Sequence, residues 1–402
     1  MTASWFALVE SNTTGSGRRF CQAARDRGLR PVVLAARAER YPYLAADRVD
    51  HRVLDTGDPE AVLAACRELA ADGGLAGVTS SSEYFIATAA RTARQLGLVA
   101  PDPAALARCR DKARQRDALA SAGVPVPAYR AVTTLAEAAS AAREIGCPVV
   151  VKPTTGSGSV GVRLCAGPAE VTAAAGPLLD APVDERGRAT PAVALVEEYV
   201  EGPEFSVETF DDTVVGVVAK HLGRPPHFVE TGHDFPAPDA PPGLAETALR
   251  AVKALGLGWG PAHTELRYGP GGAVVIEVNP RLAGGMIPAL VGRAAGVDLV
   301  AATVARAAGD TPSPQPERRA HASIRFALAD REGTVTAVGG LAEARGLPGV
   351  ELAEITVAPG TALEITHSFR DRFGYAVATG PDAATAADRA ERAAARLHMT
   401  TR

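Results

Sequence analysis

Short apolar runs alternate with segments of helical period along almost the whole chain. Residues 5–10 (WFALVE) and 31–35 are unbroken apolar runs of strand length, and 18–27 between them has helical spacing, so the chain opens as a β–α–β unit. The turn 11–17 joins the first strand to that helix. Strand signals at 52–54 and 77–80, with helices predicted over 59–71 and 84–96, extend the unit until Pro101 and Pro103 punctuate it. These elements predict a first α/β domain over residues 1–104. A helix at 111–122, the stretch Gly123-Val124-Pro125-Val126-Pro127, a helix at 135–145 and a strand at 148–152 begin a second unit, 105–311, in which strands and helices keep alternating to Gly309. Pro312, Pro314 and Pro316 space out a stiff linker. Beyond it, strands at 321–327, 334–338, 351–357 and 375–379 and a helix at 382–397 predict a small α+β cap, 312–402.

A chain of 402 residues has room for such a set of domains. Its net charge, 42 − 46 = −4, lacks the positive field of a nucleic-acid binder, so no nucleic acid is expected as partner. No basic leader and no apolar stretch of about 18 residues occur, which disfavours secretion and membrane spanning. The five cysteines are odd in number and form no C-x-x-C pair, so neither a disulfide framework nor a zinc site is indicated and a reducing cytoplasm is expected. Only four of the 42 basic residues are lysine: Lys112, Lys152, Lys220 and Lys253. In a chain whose default cation is arginine, a retained lysine marks a place that needs a slender point charge, such as one beside a phosphate.

Two glycine loops follow strands. Thr13-Thr14-Gly15-Ser16-Gly17 leads into a helix, where free N–H groups favour an anion, but Phe20 stands where a dinucleotide fingerprint needs a third glycine. The second is the better phosphate candidate. Lys152-Pro153 ends the strand at 148–152, and Thr154 to Gly161 then holds three glycines and four hydroxyls in eight residues, a flexible flap whose N–H groups can wrap phosphates beside the Lys152 charge. It is not a Walker A loop, since no G-K-[ST] closes it. After it comes a strand at 193–196 that runs into Glu197-Glu198-Tyr199-Val200-Glu201-Gly202-Pro203-Glu204. Such a segment offers backbone edges to an adenine and, a few residues on, an acid to a ribose diol.

Strands at 263–268 and 273–278 flank the turn Gly269-Pro270-Gly271-Gly272. If they close a hairpin, Glu265 lies nearly opposite Glu277, and Asn279 shares the Glu277 face. Two carboxylates and an amide suit Mg²⁺, with Mn²⁺ as the alternative, and without a cation the carboxylates would repel. His263 falls on the same face but is left out of the metal set, imidazole being a poor partner for magnesium. Arg281 follows, placed to neutralise phosphate charge, and then Leu282-Ala283-Gly284-Gly285, whose backbone can approach a carboxylate.

Taken in order, Lys112, Lys152 with its flap, Glu197 to Glu204, Glu265, and Glu277-Val278-Asn279-Pro280-Arg281 resemble the ATP-grasp superfamily over at least residues 106–310. The finer pattern, Val9-Glu10-Ser11-Asn12-Thr13-Thr14-Gly15 together with Phe228-Val229-Glu230-Thr231-Gly232-His233 and a small C-terminal domain, is similar to L-amino-acid ligases, which make dipeptides. The resemblance implies an ATP-grasp architecture behind an N-terminal α/β domain. It implies that Lys112, Lys152 and the flap residues Gly156, Ser157, Gly158 and Ser159 contact ATP, that Glu197, Glu198 and Val200 meet the adenine edge, and that Glu204 meets the ribose. Glu265, Glu277 and Asn279 would hold the metal. Glu230, His233, Arg267, Arg281, Gly284 and Gly285 would line the amino-acid pocket, with Lys220 a weaker candidate.

The activity so implied joins a small-molecule carboxylate to an amine through an acyl phosphate, releasing ADP and phosphate. Lys152 and Arg281 would serve the phosphoryl step. An α-amino group of pKa near 8 is mostly protonated at neutral pH, so His233 or Glu230 is the candidate to orient or deprotonate it. Related ligases make a homodimer the expected assembly. The alternatives are a carboxylase-like enzyme that phosphorylates bicarbonate and an ATP-binding regulator without turnover.

Overall fold

The computed structural model describes residues 3–12, 16–180, 183 and 189–402. Four strands near the N-terminus form a parallel sheet in the order Asp50–Val53, Arg30–Ala35, Trp5–Val9, Leu75–Thr79. The two inner strands are the continuous apolar runs of the sequence, as a sheet covered on both faces requires. Helix Ser16–Asp26 follows the first strand, and Asp58 caps helix Pro59–Ala71 by accepting from the Glu60 N–H. One face is covered from far along the chain: Val300, Val304 and Ala307 of helix Leu299–Ala307 share a core with Phe6, Leu8 and Phe20. Of the first glycine loop, Thr13, Thr14 and Gly15 lie outside the described residues; the Gly17 N–H donates to Asn12 Oδ1 at 3.0 Å.

A second sheet is antiparallel, in the order Tyr129–Val132, Ala194–Glu198, Val149–Pro153, Arg163–Cys165. It presents the flap beyond Lys152. Helix Leu135–Ile145 packs on it through Ala138, Ala141 and Ala142, and Thr134 and Glu137 form a capping box at its start.

The third sheet has eight antiparallel strands: Gly272–Asn279, Pro261–Gly269, Glu204–Phe210, Thr213–Leu222, Glu230–Phe235, His321–Leu328, Arg372–Gly380 and Val350–Ile355. The linker at Pro312 to Pro316 does not separate sheets. Glu230–Phe235 pairs directly with His321–Leu328, so three strands of the tail continue the sheet of the preceding unit. The remaining tail strands, Gly333–Gly339, Ala362–Leu363 and His398–Thr401, form a small sheet of their own, and the last two were not expected from the sequence. Among the described residues no single helix is long and apolar enough to cross a membrane.

Candidate active site

Between the flap-bearing sheet and the eight-stranded sheet lies a cleft of about 940 Å³, counting space open to solvent. Every predicted site residue lines it except His233, Gly284 and Gly285. Asp111 caps helix Lys112–Ser121 and so fixes Lys112 at the helix start, where its Nζ donates to Gly156 O at 3.0 Å and pairs with Glu277 Oε1 at 3.1 Å. Lys152, at the end of its strand, points at Glu197 Oε2, 2.5 Å away. Burial pulls the Lys152 ammonium below its ordinary pKa and Glu197 only partly offsets this. The flap rests on the segment before Glu230 and on the tail: Ser159 Oγ donates to Phe228 O at 2.9 Å, and the Phe369 N–H donates to Gly158 O at 3.2 Å.

The contacts of Glu197 and Arg267 refine what the sequence suggested for them. The Glu197 carboxylate is buried between Arg116 (2.7 Å) and Lys152, so the adenine contact expected of this residue is left to its backbone. Burial would raise its pKa, but these two cations outweigh burial and keep it ionised. The ion pair with Glu197 fixes the Lys152 ammonium at the cleft wall. Arg267 does not stand with the amino-acid residues. Its Nε donates to Glu204 Oε2 at 3.1 Å and its Nη1 to Val200 O at 2.9 Å, with the guanidinium 5.1 Å from the Tyr199 ring centre. It therefore braces the segment expected to hold adenine and ribose.

The hairpin forms with Glu265 opposite Glu277 and His263 opposite Asn279. His263 bridges Glu208 (2.7 Å) and Glu265 (3.0 Å); burial alone would lower its pKa, yet the two carboxylates raise it to about 9. Lys220 and His263 hold Glu265 well below the usual carboxylate range against the effect of burial. Among the described residues no three His, Cys, Asp or Glu side chains gather as a metal site. The set here is instead two carboxylates and an amide on one cleft wall, each carboxylate held by a cation. Those hard oxygen donors, too few to enclose an ion, fit a Mg²⁺ that keeps positions for nucleotide oxygens.

On the far side, Arg281 Nε donates to Glu83 Oε2 at 2.8 Å. Burial would raise the Glu83 pKa, but Arg281 and Arg110 outweigh it and hold it at about 2. Glu230 Oε2 accepts from Arg372 Nη2 at 2.7 Å and lies 3.6 Å from His233 Nε2. His233 is fully buried under the Gly284-Gly285 turn, and neither ring nitrogen has a hydrogen-bond partner. A Cβ at Gly285 would come within 2.5 Å of His233 Nε2, so the glycine is needed for this approach. Burial lowers the His233 pKa to about 3 despite Glu230. The expectation of a general base at His233 is thus corrected: an imidazole this weakly basic accepts a hydrogen bond but does not take a proton from an ammonium of pKa near 8.

Sequence reasoning missed Arg116, Glu83, Arg110 and Arg372, which act on predicted residues from 81 to 198 positions away or, for Arg110, through Glu83. Lys220 was undervalued, although the scarcity of lysine pointed to it.

Comparison with known proteins agrees with this fold. Residues 145–289 match the ATP-grasp domain model, 21–99 the ATP-grasp N-terminal domain and 325–402 the L-amino acid ligase C-terminal domain 2. "Uncharacterized protein y4rH" of Sinorhizobium fredii is 40% identical over 382 residues, covering 94% of this chain and 79% of the relative. The chain belongs to the ATP-grasp superfamily. Within that superfamily, an alanine–anticapsin ligase of Bacillus subtilis is 30% identical over 54% of this chain and 50% of the ligase. Carnosine synthase 1 of Gallus gallus is 31% identical over 52% of this chain and 24% of that protein, so the chain spans half or less of the length of both. The crystal structure of an L-amino acid ligase from Bacillus licheniformis superposes over the full length of both chains with a TM-score of 0.83 at 21% identity, a likeness of fold.

Proposed function

We propose that this ATP-grasp chain is an ATP-dependent carboxylate–amine ligase with an L-amino acid on at least one side. A substrate carboxylate oxygen attacks the γ-phosphorus of ATP and the bond to the β-bridging oxygen breaks, giving an acyl phosphate and ADP. An amine nitrogen then attacks the acyl carbon, and phosphate leaves. Lys112, Lys152 and the N–H groups of Gly156 to Ser159 bind the phosphates, Glu198 and Val200 the adenine, and Glu204 the ribose. Glu265, Glu277 and Asn279 would hold Mg²⁺, which would supply charge neutralisation to the phosphates. Arg281, fixed by Glu83, faces the acyl phosphate. Glu230 receives the ammonium of the amino acid and the Gly284-Gly285 turn its carboxylate.

One observation carries this reading: phosphate-binding lysines, the facing pair Glu265 and Glu277, and the anchored Arg281 share one cleft with Glu230. A site for phosphoryl transfer thus adjoins an acid able to hold an ammonium. The alignments with amino-acid ligases support the same choice of substrate class. The proposal includes a cytoplasmic homodimer with domains at 1–104, 105–311 and 312–402. Its test is ADP and phosphate release from MgATP against single amino acids and pairs, with mass spectrometry of the products. Pair-dependent release with a new amide mass is the expected result. Release with bicarbonate alone, or ATP binding without release, would replace the reading with a carboxylase-like enzyme or a regulator.

A further inference from the structure

Arg267, Glu204, Lys220 and His233 form one cross-strand row, each opposite the next on neighbouring strands. Strand alternation puts all four on one face of the sheet. The Lys220 side chain is 2% exposed, and its Nζ lies 2.8 Å from Glu204, 2.9 Å from Glu230 and 3.1 Å from Glu265. An ammonium has three N–H donors, so each is committed to a different carboxylate from a different strand. Each glutamate also has a cation of its own: Arg267 on Glu204, Arg372 on Glu230 and His263 on Glu265. Lys220 alone among the described residues is shared by all three.

We infer that Lys220 is a positioning residue that ties the nucleotide, metal and amino-acid parts of the site together by holding their three glutamates to one point. The inference rests on the roles proposed for Glu204 and Glu230. In this reading Lys220 acts through the three glutamates that its ammonium holds. Without it each carboxylate keeps a private cation, so the ion pairs with Arg267, Arg372 and His263 survive, but three like charges lose the centre that fixes their relative positions. Arginine does not replace it, because a planar fork matches one or two carboxylates edge-on and not three arranged around a point.

The private cations provide the controls. The probes are a non-hydrolysable ATP analogue with Mg²⁺, and the L-amino acid that supports phosphate release in the wild-type panel, each titrated calorimetrically. Lys220→Met is expected to weaken both by about 10- to 100-fold, the range for loss of a residue that orients a ligand-binding side chain. Arg267→Met should weaken the nucleotide alone and Arg372→Met the amino acid alone. A folded Lys220→Met protein that loses only one affinity, or neither, overturns the inference. Should circular dichroism show Lys220→Met unfolded, Lys220→Arg decides: reduced affinity for both probes supports the inference, and wild-type affinities overturn it. Failure of the ligase reading is distinct, since it shows as wild-type protein that releases no phosphate with any amino acid. The nucleotide titration of Lys220→Met still decides the link between Lys220 and Glu204 in that case, wild-type affinity overturning it.

Discussion

Three of the four lysines converge on the cleft, each paired with a glutamate of its wall. Their rarity was legible, but their partners were not, because sequence spacing says nothing about which carboxylate an ammonium meets after folding. Glu277 shows what such a pair does: it faces Glu265 in register and accepts Lys112, so Glu277→Gln keeps the hydrogen-bonding shape and removes the charge. ADP formation should fall at least about 100-fold while the melting temperature stays within a few degrees, read by coupled assay and calorimetry. His233 gives a prediction of the opposite kind, in stability. Its pKa is 6.5 when unfolded and about 3 in the fold, so below 6.5 the unfolded chain binds the proton first. The contribution is complete above pH 6.5 and is lost as pH falls towards 3. By pH 5 the loss is about 2 kcal/mol, from 1.5 units at 1.36 kcal/mol each. Urea midpoints at pH 7 and pH 5 should therefore separate more for the wild type than for His233→Gln, and equal separations would remove the assignment.

The hairpin of Pro261–Gly269 and Gly272–Asn279 was readable from its Gly-Pro-Gly-Gly turn, but the turn's register pairs Leu266 with Val275, and it is a one-residue irregularity between Glu265 and Leu266, not legible in the sequence, that brings Glu265 opposite Glu277. The flap was readable as a phosphate loop from its glycines and Lys152. What it rests on was not, since Phe369 lies more than 200 residues further along the chain. Gly158 adopts φ +65°, and a Cβ there would stand 2.2 Å from the Phe369 ring. Gly158→Ala thus incurs both the left-handed backbone cost of about 1–2 kcal/mol and a displaced ring, so KM for ATP should rise roughly 5- to 30-fold or more. Phe369→Ala in the same chain removes the collision and leaves the backbone cost. Partial recovery of KM in the double variant is therefore expected from initial rates, and full recovery or none would show that one of the two causes acts alone.

The alternation of apolar runs and helical segments made the α/β class and its N-terminal β–α–β unit legible. The linker prolines, by contrast, suggested a separable cap that the sheet does not separate. His321–Leu328 takes its backbone hydrogen bonds from Glu230–Phe235 on one side and from Arg372–Gly380 on the other, and Ala322, Ile324 and Val377 lie in one core with Ile287, Leu290 and Val291. Helix Leu299–Ala307 in turn closes the core of the N-terminal sheet. Elements this interlocked share their unfolding free energy, because opening the tail bares a long apolar strand edge and half of a buried core. The intact protein should therefore lose its tail and its cleft in one transition: scanning calorimetry and the fluorescence of Trp259, which stacks on Arg306 of that helix, should report the same midpoint. A chain ending at residue 311 should be insoluble or fail to bind ATP, even though it keeps every lysine and every carboxylate of the cleft. A soluble, ATP-binding product of that length, or an early calorimetric transition belonging to the tail, would show that residues 321–402 are an added module and that the cleft is complete without them.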